Sequence, residues 1–105
     1  MKLTEKINLL KSIIREESED DIFTTDRHST FITDYKRIFS HIAYRYIGLT
    51  QREIGAAIDN PRTTGTVFFY IRSCEELLPK NAIFAERYNI ILQKFNLLKD
   101  GNKTD

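Results

Sequence analysis

A chain of 105 residues, 41% hydrophobic and 30% charged, has the composition of one soluble globular domain with a modest core, not of a disordered segment. No apolar run approaches the roughly eighteen residues of a bilayer-spanning helix, so no membrane partner is expected. The single cysteine, Cys74, rules out an internal disulfide and any multi-cysteine metal centre. The first residues turn charged every few positions and lack the apolar core of a secretory signal, which points to a reducing cytoplasm.

The net charge of +1 conceals an uneven distribution. Residues 1–34 carry −3, residues 35–72 carry +4, and residues 73–105 are neutral. The basic third holds Lys36, Arg37, Arg45, Arg52, Arg62 and Arg72 against Glu53 and Asp59. Such a concentration is the electrostatic footprint of a phosphate-binding module, and equally that of a solvated basic helix face.

In chain order, Leu3, Ile7, Leu10 and Ile14, with Leu9 and Ile13 beside them, recur at helical spacing and predict an amphipathic helix over residues 3–17. Its stripe suits packing within the chain, and also pairing with a second copy. The acidic run at residues 16–21 ends it, and the polar stretch up to Thr30 reads as a linker. Phe31, Ile32, Tyr35, Ile38, Phe39, Ile42, Ala43 and Tyr46 then trace a broad apolar face, with Lys36, Arg37, His41 and Arg45 between them. A helix over residues 30–46 is predicted, stopped by Gly48. His41 has no carboxylate or cysteine at helix-neighbour spacing and is expected at the surface or half buried.

Residues 50–74 are the stretch the rest of the chain is expected to hold. Thr50 and Glu53 have the spacing of a capping box. They open a short helix with Ile54, Ala57 and Ile58 inward and small residues at Gly55, Ala56 and Ala57 for close helix crossing. Pro61 ends it and suits the first position of the next helix with Asn60 as cap, or else Thr63 is the cap and Pro61-Arg62 stay in the turn. That next helix runs to about Leu78, with Val67, Tyr70 or Ile71, Cys74 and Leu77 or Leu78 inward. Arg62, Gly65, Thr66, Phe69 and Arg72 face away. Free amides and the positive dipole at its start suit phosphate, and threonine hydroxyls and methyls suit base edges. After Pro79, the residues Ile83, Phe84, Tyr88, Ile91, Leu92, Phe95 and Leu98 predict a last amphipathic helix over residues 81–99, too short in heptads to assert a coiled coil.

Ile42, Ala43 and Tyr46, then Glu53-Ile54-Gly55, Arg62, Thr66-Val67, Ile71 and Glu75-Glu76-Leu77 resemble the DNA-binding C-terminal domain of the bacterial replication initiator DnaA, a helix-turn-helix of the Trp-repressor-like group. The likeness covers residues 34–78. It implies that fold and a duplex-DNA target. Of the family's Arg-Asp-His-Thr-Thr-Val signature, Arg62, Thr66 and Val67 fit. Thr63 and Thr64 stand where aspartate and histidine are usual, and Gly65 where the first threonine is. No phosphate-cradling Gly-x-x-x-x-Gly-Lys-Ser/Thr loop accompanies it.

The expectation is one all-α domain over residues 1–105, a compact bundle of about five helices with a helix-turn-helix core at residues 31–78. Double-stranded DNA would meet Arg62, Thr63, Thr64, Gly65 and Thr66, with Gln51, Arg52, Arg45, Lys36 and Arg37 on the backbone. A bacterial or phage regulator, or an initiator-related protein, fits this reading. The terminal helices also suit homodimer formation. No enzyme is expected, since no paired catalytic constellation occurs, and neither a cofactor nor a metal is implied. The alternative is a helical protein-interaction module that keeps the scaffold without DNA.

Overall fold

The computed structural model describes residues 2–23, 29–58 and 64–101. Among these residues five α-helices follow one another: α1 (Leu3–Ser18), α2 (Thr30–Ile42), α3 (Gln51–Ala57), α4 (Thr64–Leu77) and α5 (Ala82–Gly101), with a π-helical turn at Ala43–Ile47 between α2 and α3. No strand occurs among the described residues. The domain is an all-α bundle, as the helical spacing of its apolar residues dictates. No helix among the described residues is long and apolar enough to cross a membrane.

The centre of the bundle is α2, not the stretch at residues 50–74. It packs against α1, α4 and α5, while α1 lies along α5 and α3 against α4. Ile32, Tyr35, Ile38, Phe39 and Ile42 are buried on α2, as their spacing predicts. So are Asp34 and Ser40 and, against expectation, Lys36 and His41. A helix flanked on several sides has little solvent face left for its polar residues. Ser29 caps α2, its hydroxyl accepting from the Ile32 amide at 3.2 Å.

The acidic stretch after α1 holds a second departure from expectation. Glu19 takes a left-handed backbone, φ 57°, which turns the chain sharply. Ile22 and Phe23, expected in a polar linker, are fully buried. The Phe23 ring stands edge-on to Phe39 at 4.9 Å, with the Lys11 ammonium 5.1 Å and the Arg15 guanidinium 5.3 Å from its centroid. Arg15 also donates to Asp21 at 3.0 Å, so the acidic run pins the turn down.

The helix predicted over residues 30–46 is α-helical only to Ile42. Its continuation widens to the π form, and Gly48 stops it at φ 86°, a conformation that glycine adopts without steric cost. The Gly48 and Leu49 amides both donate to the Ala43 carbonyl, at 3.0 and 3.1 Å. Leu49 is thereby driven into the core and α3 sets off in a new direction. The capping box of α3 forms as its sequence predicts, with Glu53 N donating to Thr50 Oγ1 at 3.1 Å and Thr50 N to Glu53 Oε1 at 2.9 Å. Those bonds hold the Glu53 carboxyl below the usual carboxylate range. Thr50→Ala is expected to lower Tm by about 4 °C in a calorimetric scan, the typical effect of losing one N-cap from a domain of this size.

Helix α4 is anchored by Val67, Tyr70, Ile71 and Cys74, the face the spacing predicts. Burial pushes the Cys74 thiol up to about 12, so it acts as a small core side chain and not as a nucleophile. Asn81 caps α5, its side chain accepting from the Phe84 amide at 3.0 Å. On α5, Phe84, Tyr88, Ile91 and Phe95 are buried, whereas Ile83 and Leu98, expected in that stripe, are exposed.

Candidate nucleic-acid interface

The residues singled out for DNA divide by their place along α4. Thr64 and Gly65 open the helix and are exposed, and Thr66 is half buried. Gln51 and Arg52 lie in the first turn of α3, against which α4 packs. Arg52 is exposed and has no ion-pair partner among the described residues. Arg62 and Thr63, and the choice between Asn60 and Thr63 as cap, lie outside the described residues.

The other three basic residues are placed differently. Lys36 is only 2% exposed, so its ammonium does not stand on a solvent face. Arg37 donates to Asp34 Oδ1 at 2.8 Å and to Ser73 Oγ at 2.9 Å. Arg45 donates to Glu75 Oε2 at 2.7 Å. Ser73 and Glu75 belong to the carboxyl-terminal half of α4, about 14–16 Å along the helix from Thr64 at 1.5 Å per residue. Arg37 and Arg45 are thus tied to the far end of α4, each beside a carboxylate supplied by a neighbouring part of the sequence. The basic third does not converge on the helix start as a block.

The outward face of α4 is aromatic as well as basic. Phe68 and Phe69 are about half exposed, at 48% and 55%. The Arg72 guanidinium lies 5.7 Å from the Phe68 ring and that of Arg37 5.8 Å from the Phe69 ring. Sequence spacing points to Phe69 and Arg72 on this face. Phe68 shares it because the buried stripe of α4 is narrow.

A polar cluster joins α2, α4 and α5 behind this surface. His41 Nδ1 lies 2.6 Å from the Tyr88 hydroxyl, and Nε2 lies 3.5 Å from Glu75 Oε2. The partner for His41 therefore comes from other helices, which no helix-neighbour spacing could reveal. Desolvation holds the imidazole below its ordinary value, with Glu75 pulling it the other way and Arg45 reinforcing the depression. Burial raises the Tyr88 phenol, so it stays protonated and neutral near neutral pH. In the unfolded chain the His41 imidazole takes up its proton as pH drops through about 6.5, while in the native state it resists protonation, so stability is full above that pH and declines below it. Replacing His41 with Gln is expected to flatten the loss of Tm between roughly pH 7 and pH 5, measured by thermal melts across that range.

No group of three or more His, Cys, Asp or Glu side chains among the described residues could hold a metal ion. In comparisons with known proteins, no family model, no curated protein and no solved structure matches the chain.

Proposed function

We propose that α3 and α4 act as a helix-turn-helix that binds duplex DNA in the cytoplasm, with the amino-terminal half of α4 entering the major groove. The observation that carries this reading is the exposed start of α4, with Thr64 and Gly65 open to solvent beside a helix bearing the exposed Arg52. The backbone amides and positive dipole end of such a start favour phosphate, and a glycine there lets a nucleic-acid backbone approach closely. Arg62, immediately upstream in sequence, adds a full positive charge, and Arg72 extends the same face. Lys36, Arg37 and Arg45 serve the fold and α4's far end instead. The residues shared with the DnaA domain agree with this reading. The altered signature at Thr63, Thr64 and Gly65 argues for a different target from the initiator's, as in a bacterial or phage regulator or an initiator-related protein.

Fluorescence anisotropy with a labelled duplex at several salt concentrations tests it. Each neutralised phosphate contributes about 0.9 to the slope of log affinity against log salt, so contacts from Arg52, Arg62 and Arg72 give a slope of about 3. The exposed Phe68 and Phe69 favour a second reading, a protein-interaction face on the same helix. The same titration separates the two, since an interaction module shows no salt-sensitive binding to any duplex.

A further inference from the structure

We propose that α5 pairs with α5 of a second copy of this chain, side by side and parallel about a two-fold axis. The helix is apolar on two faces. One, at Phe84, Tyr88, Ile91 and Phe95, is buried in the bundle. The other carries Ile83 at 64% exposure, Ile90 at 38%, Leu97 at 73% and Leu98 at 49%. Ile83, Ile90 and Leu97 recur at seven-residue spacing, drifting only about 20° per repeat, so they form one straight seam about 21 Å long. Large aliphatic side chains in a line on a solvent face mark an interaction surface, not scattered exposure.

The side chains flanking the seam select the occupant. Glu86 lies on one side of it and Arg87 on the other, one residue apart along the helix. A parallel two-fold sets each Glu86 beside Arg87 of the other copy, giving two opposite-charge contacts. It also sets Leu97 beside Leu98 of the other copy, so all four exposed aliphatics are covered. An antiparallel two-fold through Ile90 instead brings Arg87 alongside Lys94 of the other copy, a like-charge contact. Glu86 is exposed and has no ion-pair partner among the described residues, whereas within one chain Arg87 lies 3.9 Å from Asp34 and over the Phe31 and Tyr35 rings at 5.3 and 5.8 Å, and Lys94 lies 3.3 Å from Glu17. The interface is small, which places the dimer at the weak, transient end of the range. It stands on α5 alone and does not depend on what α4 binds.

Sedimentation equilibrium on the full chain, from micromolar to near-millimolar concentration, should show reversible dimer formation. Ile90→Glu and, separately, Leu97→Glu should each weaken it at least tenfold, with far-UV dichroism unchanged because both side chains already meet solvent. Ile83→Cys and Ile90→Cys should each cross-link to themselves under mild oxidation, since a parallel two-fold brings equal positions within disulfide reach; the buried Cys74 does not compete. A chain that stays monomeric throughout, or dimers indifferent to both glutamates, would overturn the proposal. Cross-linking by Ile90→Cys but not by Ile83→Cys would overturn the parallel arrangement.

Discussion

Replacing Phe39 with alanine is expected to remove about 3–5 kcal/mol of folding stability, the usual cost of deleting a fully buried phenylalanine. Phe39 has no solvent exposure and lies on α2, the helix that packs against three others. Its ring also meets Phe23 edge-on at 4.9 Å, which ties the turn after α1 to the centre of the bundle. A domain of this kind has about 5–15 kcal/mol in all, so the loss is a large fraction of the total. Urea denaturation should show a lower midpoint at an unchanged slope. Phe23→Ala combined with Phe39→Ala should fall short of additivity by about 0.5–1.5 kcal/mol, the worth of an edge-to-face aromatic pair. A loss below about 1 kcal/mol for Phe39→Ala would contradict the central place given to α2.

Arg62→Ala is expected to weaken duplex binding by about 5- to 150-fold, corresponding to the roughly 1–3 kcal/mol of one well-placed arginine contact. The size and pattern of the loss identify the contact. A base contact gives a loss that depends on the duplex sequence, while a phosphate contact gives an even loss and a salt slope lower by about 1. Arg45→Ala provides the comparison. Its guanidinium is engaged by Glu75 at the far half of α4, so affinity should stay within about threefold of the original. Equal losses from the two substitutions would mean that binding follows overall charge and not the start of α4.

The helices were legible because their apolar residues recur at helical spacing and their ends carry strong local signals. Thr50 with Glu53, and Gly48 after a helical run, are chemistry confined to a few neighbouring residues. What depended on distant parts of the chain was not legible. Ile22 and Phe23 are two apolar residues in a polar stretch, too few to show a period, yet the left-handed turn at Glu19 leads them back into the core. The +4 of residues 35–72 suggested one basic surface. Folding brings Asp34 onto Arg37 and Glu75 onto Arg45, and both carboxylates lie in the flanking thirds of the sequence. His41 lacked a local partner and found Tyr88 and Glu75 on two other helices. On α5, two apolar faces overlap in sequence, so Ile83 and Leu98 could be assigned to the wrong one.

The most direct test of DNA recognition by α4 is a titration of the isotopically labelled chain with duplex DNA, followed by amide chemical shifts. Shifts concentrated at residues 51–53 and 62–72, with α5 undisturbed, are the predicted result. A spectrum unchanged at excess duplex, or shifts confined to residues outside α3 and α4, would contradict it.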